Sequence, residues 1–381
     1  DRLPFIISRI CGVCSTAHIM ASVKAIEDAF MVEVPKTAEK IRELLLMAQI
    51  ISNHSLAFFF LTLPDYYFRH DDDPSTRNVF EIVRQNPEFG RKGMELRMFG
   101  TQLYTMVGGR EVHIVSTIPG GQIRPIKEET RMRLLGDAKK VLVISQEALD
   151  ICKRLCDDWS AGLDHFSDVK TNYMNITKDG KLSFYDGKLT AIDSSGNIIS
   201  EFSHSNYKDN LDEKTFSWTY AKFAYLKNLG WPQGILKVGP PARMNITSKS
   251  LTPLANEAYE EFKDRFGKPN HKTLVFDYAR LIELMYACER TIELLDDRDI
   301  TREDVRVTVI PKEGHGVGIV EAPRGTLIHD YQLDGEGKCK DLHLIIPTQI
   351  NNAAINISVK NAAFELIKSG DIKPGLLNRV E

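Results

Sequence analysis

The chain is poor in cysteine: six in 381 residues. That is too few for a disulfide scaffold, and a chain this long buries a full core without staples. It also lacks a charge excess. Lys plus Arg number 49 and Asp plus Glu 52, so the net charge is −3, and nothing in the balance calls for nucleic acid. No apolar run is clean enough for a bilayer: the longest, Leu44–Leu63, contains Gln49, Ser52, Asn53 and His54, so it reads as a buried helix. No repeat and no low-complexity segment interrupts an ordinary composition. The first residues do not read as a secretory signal, and a reduced, cytoplasmic compartment is the expectation.

What is present has two textures. Ser15–Phe30, Ala38–Leu63, Phe89–Val107, Glu129–Leu163, Leu274–Leu295 and Ala353–Ile367 carry helical spacing. Val34-Pro35-Lys36-Thr37 opens the second helix, Pro64 is expected to end it, and Asp71–Pro74 reads as a charged loop. Ile118-Pro119-Gly120-Gly121 reads as a tight turn. Lys181–Glu201 partly alternates, with hairpin turns expected at Asp186-Gly187 and Ser194–Asn197. Val305–Ile310, Gly318–Glu321 and Leu342–Ile346 read as strands. The fold expected is α+β: a mostly helical body, a long helix bundle, with inserted β hairpins. Residues 1–165 would be helical, 166–247 a β-containing insertion, and 248–381 helical with strands.

Four stretches offer chemistry. Arg9-Ile10-Cys11-Gly12-Val13-Cys14-Ser15-Thr16-Ala17-His18 places two thiols three residues apart at the start of a helix. A helix N-terminus favours thiolates, Gly12 would permit a tight turn, and His18 lies one helical turn after Cys14. Taken alone the pair is equally half of a structural zinc site or a redox dithiol, although no second CxxC follows and no βαβ start surrounds it. Cys152 and Cys156 are expected to fill core positions. Glu321-Ala322-Pro323-Arg324-Gly325 holds an Arg between Pro and Gly after an apolar strand, either facing a cavity or paired in a turn. Thr348, Gln349 and Asn351 end another apolar strand and can donate hydrogen bonds. Asp65, after Pro64, is a helix-end surface group or a cavity acid; His54 reads as a satisfied core histidine.

In these positions the four stretches resemble the large subunit of nickel–iron hydrogenases, over nearly the whole chain. Asp73-Pro74-Ser75-Thr76-Arg77-Asn78-Val79, Ile118–Gly121, Val238-Gly239-Pro240 and Leu376-Leu377-Asn378-Arg379-Val380-Glu381 look closest to the cytoplasmic bidirectional branch, which includes NAD-coupled and methanogen enzymes. The resemblance implies reversible oxidation of dihydrogen to protons and electrons at a centre of nickel and of iron carrying carbon monoxide and cyanide, with magnesium as a further candidate ion. Cys11 would be a terminal nickel ligand and Cys14 a bridge between nickel and iron. His18 would tune the bridging sulfur. Arg324 would overhang the open nickel position, with Pro323 and Asp65 completing that canopy. Leu327 would pack beside the carbon monoxide ligand, and Thr348 would hydrogen-bond cyanide.

The partner implied is an iron–sulfur small subunit, because this chain has too few cysteines for clusters of its own. Beyond it would stand a flavin diaphorase for NAD(P), a deazaflavin reductase or a heterodisulfide reductase. The family's second cysteine motif, Asp-Pro-Cys-x2-Cys-x3-His, is expected beyond Glu381 or on a separate short peptide. A strand segment resembling Arg-Ile-Glu-Gly-His is expected before Asp1. Two other readings compete. One is a nickel-free coupling subunit like the quinone-site subunit of respiratory complex I, which lacks the CxxC. The other is a scaffold protein with a zinc-type CxxC.

Overall fold

A computed structural model describes residues 2–68, 73, 75–158, 167–249, 251–367, 372, 375, 377 and 380. Its helices are α1 (Arg2–Ile7), α2 (Ser15–Phe30), α3 (Lys36–Leu56), α4 (Leu63–Tyr67), α5 (Val79–Gln85), α6 (Pro87–Leu103) and α7 (Glu128–Asp158). Later in the chain come α8 (Tyr207–Asn210), α9 (Pro240–Ile246), α10 (Pro253–Phe266), α11 (Phe276–Asp296) and α12 (Pro347–Leu366). The main core lies among α2, α3, α6, α7 and α11, with Cys152 and Cys156 buried in it as expected and Cys288 buried there too. Helix α3 is buried almost all round from Leu44 to Ser55, where apolar residues dominate, while Lys36, Glu39, Lys40 and Glu43 give its first turns a polar face. The one helical stretch long and apolar enough to cross a membrane among the described residues, Lys36–Tyr67, is mostly buried inside the protein.

The strands form four small sheets among the described residues. Strands β1 (Thr117–Ile118) and β2 (Gly121–Gln122) flank the expected Pro119-Gly120 turn. Strands β3 (Asn172–Lys178), β4 (Lys181–Leu182), β5 (Lys188–Ile192) and β6 (Ile198–Phe202) lie in the order β4-β3-β5-β6. Strands β7 (Leu211–Phe216) and β8 (Thr219–Leu226) pair separately, and β9 (Leu236–Lys237) runs parallel to β3. Strands β10 (Gly314–Ala322), β11 (Gly325–Leu333) and β12 (Cys339–Ile345) make an antiparallel meander.

Helix α2 lies directly on β10. Gly314, Gly316 and Gly318 alternate along one face of the strand. A Cβ on any of them would overlap the backbone carbonyl of Ala29, Ala25 or Ala21 respectively, four residues apart on the helix. Small residues on both sides let two backbones touch.

Five expectations need correction. Pro64 does not end its helix: a wide i→i+5 turn over Ala57–Thr62 precedes it, and Pro64 sits in the first turn of α4, where its missing N–H is no loss. Asp186-Gly187 is not a hairpin turn, because β4 and β5 lie on opposite sides of β3; Ser194–Asn197 does join paired strands. Val305–Ile310 is not a strand but a segment bonded to the glycine turn, Val307 N donating to Gly120 O at 2.9 Å. Gly318–Glu321 is only the end of β10, and β11 follows it. The last helix starts at Pro347, so Thr348 stands in its first turn rather than at a strand end. Of the expected Glu129–Leu163 helix, 159–163 lie outside the described residues, as do most of Asp71–Pro74 and of Leu376–Glu381.

Candidate active site

The Arg motif is the two-residue turn between β10 and β11, Ala322 pairing with Gly325 across Pro323-Arg324. Gly325 has φ +129°, and a Cβ there would overlap Val238. Gly239 is equally constrained: at φ +97° its Cβ would press on the Arg324 carbonyl. The segment Val238-Gly239 therefore lies flat against the hairpin. Asn351 clips the two together, its side chain donating to Arg324 O at 3.2 Å and accepting from Val238 N at 2.9 Å.

A buried ion network holds this turn from behind. Arg243, on α9 and fully buried, donates to Glu283 from Nε at 2.6 Å and Nη2 at 2.8 Å. Its Nη1 donates to Glu321 at 2.6 Å. The same guanidinium reaches the carbonyls of Ala322 at 3.2 Å and Pro323 at 3.1 Å. Five donors in a fixed fork suit one Arg to two carboxylates and two carbonyls. His54 completes the network, Nε2 lying 2.8 Å from Glu283. It is a core histidine as expected but not a fully satisfied one, its buried Nδ1 having no partner among the described residues. Burial, the largest cause, lowers the His54 pKa to about 4, with Glu283 opposing. Arg243 and His54 hold the Glu283 carboxyl below its usual value against the opposing pull of burial.

In front of the turn lies a cavity of about 560 Å³. Asp65, Pro323, Arg324 and Thr348 all line it, although they come from three distant parts of the sequence. Arg280 and Asp277, an ion pair on α11, line it too. Burial lowers the Arg280 pKa, and the Arg324 guanidinium lowers it further. Lys237 stands on the same wall, burial lowering its pKa to about 8.

The cysteine pair stands at the start of α2, the helix packed along β10. Cys11 and Cys14 are half-buried on the turn before α2, joined as a disulfide, with Cys14 N donating to Cys11 Sγ at 3.1 Å. Neither they, His18 nor Leu327 line the cavity. Gly12 is not required by the turn: its φ is not left-handed, and a Cβ there meets open space. His18 is buried, its Nδ1 3.1 Å from His329 Nε2, and burial lowers its pKa to about 4. Leu327 is fully buried on β11. Reduced, the pair offers two soft sulfur ligands on one turn, which fits nickel. Among the described residues no group of three His, Cys, Asp or Glu gathers to hold a metal.

The family model described as nickel-dependent hydrogenase matches residues 2–68 and 92–369. The chain belongs to this family. As a hydrogenase large subunit it is 38% identical over 368 residues to one chain of the F420-non-reducing hydrogenase of Methanocaldococcus jannaschii, covering 97% of this chain and 88% of that one. It is 35% identical over 396 residues to the beta subunit of the NAD-reducing hydrogenase of Cupriavidus necator, covering 99% and 81%. The solved structure of an NAD+-reducing [NiFe]-hydrogenase in the H2-reduced state superimposes with a TM-score of 0.95 at 32% identity, covering 100% of this chain and 85% of that one. Such relatives are subunits of larger assemblies, so the hydrogenase works with partner subunits. Its nickel-dependent chemistry is that of an oxidoreductase on dihydrogen.

Sequence reasoning passed over Arg243, Glu283, Arg280 and Asp277. One signal was there to find: Glu283 stands among Leu281, Ile282 and Leu284, a charge inside an apolar run that must be paired once buried.

Proposed function

We propose that reduced Cys11 and Cys14 ligate a nickel–iron centre, and that Arg324 faces it from the turn held by Arg243. The observation that supports Arg324's place is the convergence of Asp65, Pro323, Arg324 and Thr348 on one cavity. The cysteine turn is brought toward it by the α2–β10 seam, which runs from Ala29 on Gly314 to Ala21 on Gly318 and so sets the start of α2 toward the Arg turn. A bound centre of nickel and iron, the iron carrying carbon monoxide and cyanide, supplies the Lewis acidity that polarises dihydrogen and the capacity for two electrons. The protein's part is to position and to exclude water. Arg324 places a fixed positive charge where the reaction develops charge, since a guanidinium is a poor base. Asp65 orients it, Thr348 offers a hydroxyl donor, Leu327 supplies apolar packing, and His18 sets the hydrogen bonding of the bridging sulfur.

The further ligands would come from the second cysteine motif that the family resemblance implies. Electrons would pass to an iron–sulfur small subunit, then on to NAD(P) through a flavin diaphorase in the cytoplasm. The NAD+-reducing enzyme with TM-score 0.95 supports that acceptor. The 38% identity to an F420-non-reducing enzyme weighs against the deazaflavin reductase and leaves a heterodisulfide-reductase module as the second candidate.

Arg324→Lys in the assembled enzyme is the test. Nickel and iron should remain in wild-type amounts, with carbon monoxide and cyanide infrared bands intact, while dihydrogen turnover falls by about 100-fold or more. Loss of nickel from this variant would remove Arg324 from the positioning role.

A further inference from the structure

The hydrogen bonding around His18 continues beyond its first neighbour. His18 Nδ1 lies 3.1 Å from His329 Nε2, and His329 Nδ1 lies 2.7 Å from the Tyr331 hydroxyl. Tyr331 in turn donates to Ser22 Oγ at 3.0 Å. The backbone explains the closure. Ser22 is one turn beyond His18 on α2, and His329 and Tyr331 are alternate residues on the face of β11 that meets that helix. All four side chains are at most 3% exposed. Tyr331 otherwise packs among Ala25, Ile26 and Leu333.

Such a chain has a direction. A bond between two imidazoles needs an N–H on one ring and a lone pair on the other, and a neutral imidazole carries one of each. Tyr331 directs its O–H to Ser22, so its oxygen is the acceptor for His329, and Nδ1 of His329 carries the hydrogen. His329 Nε2 is then the lone pair, and it accepts from His18 Nδ1–H. The Nε2 of His18 is left unprotonated.

We infer that Ser22, Tyr331 and His329 form a buried relay that sets the tautomer of His18. It thereby decides whether Nε2 of that ring accepts or donates a hydrogen bond, one helical turn after Cys14. An accepting Nε2 suits a thiol S–H, as in the reduced metal-free chain; a donating one suits a metal-bound thiolate, for which the relay would have to run in the opposite direction. That meaning for the sulfur rests on the proposed function, whereas the relay itself does not. Ser22, Tyr331 and His329 are positioning residues, acting through His18.

The test is NMR on the full chain, metal-free, with 15N- and 13C-labelled histidine rings. Ring correlations report which nitrogen bears hydrogen, and His18→Gln and His329→Gln assign the signals. In the wild type both rings should carry Nδ1–H. Tyr331→Phe removes the acceptor of His329 Nδ1, so His329 should move its hydrogen to Nε2, donate to His18 Nδ1, and leave His18 with Nε2–H. Ser22→Ala frees the Tyr331 hydroxyl to turn toward His329 Nδ1, with the same result. Both substitutions nearly conserve shape, and amide spectra check the fold. A switch of both rings in both variants supports the relay. His18 keeping its wild-type tautomer in either variant, or showing Nε2–H in the wild type, overturns it. Metal analysis of the native enzyme tests the proposed function separately.

Discussion

Arg243 does not line the cavity in front of the turn, yet the position of Arg324 depends on it. It neutralises two buried carboxylates, Glu283 and Glu321, and ties down two carbonyls of the hairpin. Replacing it with Met would leave both carboxylates buried without a counter-charge. Breaking such a pair costs about 3–5 kcal/mol, which denaturant unfolding of the variant should show. An unchanged midpoint would mean that the network adds nothing to stability. At this scale the sequence is legible where the signal is local. Cys11, Cys14 and His18 form one motif, and Arg324 stands out between Pro323 and Gly325. Arg243 is silent because its partners lie 40 and 78 residues away. The pairing of the Ile118–Gly121 turn is hidden for the same reason. A buried Arg42–Glu27 pair grips it, Arg42 donating to Ile118 O at 2.9 Å and Glu27 accepting from Gly120 N at 2.7 Å.

Among the elements, the seam between α2 and β10 is the least tolerant. At Gly316 a side chain has only the backbone of Ala25 and Ala29 to displace. Gly316→Val should cost about 1–3 kcal/mol through overpacking, read as a lower thermal midpoint, while Gly12→Ala, which meets open space, should cost little. Equal losses in the two would contradict the packing argument. The boundaries of α2 are legible because apolar residues recur at helical spacing between Cys14 and Met31. Strand β10 is legible only from Gly318. The preceding glycines have low strand propensity, and their purpose lies on the neighbouring helix. The start of helix α12 is disguised, because Thr348, Gln349 and Asn351 look like a polar strand end until Pro347 is seen as a first-turn proline.

For the molecule as a whole, the α+β class and helical body are visible in composition and periodicity, whereas strand order is not, since pairing is non-local. The buried histidines give a whole-molecule prediction. His54 has its pKa lowered from 6.5 to about 4. Between those values the unfolded chain binds the proton and the folded one does not, so the stabilising contribution is complete above pH 6.5 and fades as pH falls toward 4. From about pH 7.5 to about pH 5 the wild type should lose about 2 kcal/mol more than His54→Gln, at about 1.4 kcal/mol per pH unit and proton. Parallel unfolding curves for the two proteins would refute the assignment. Glu283 has its pKa lowered, so its contribution fades only below that window. The seam carries a last consequence for evolution and engineering. Helix α2 starts just after Cys14 and β10 ends two residues before Arg324, and the two are laminated along three glycines. The cysteine turn and the Arg turn are thus the two marks on a single ruler. One residue inserted between Gly318 and Glu321 would not lengthen that ruler; it would turn the end of the strand over and present Arg324 to the opposite side. This spacing can change only by whole pairs of residues, or not at all.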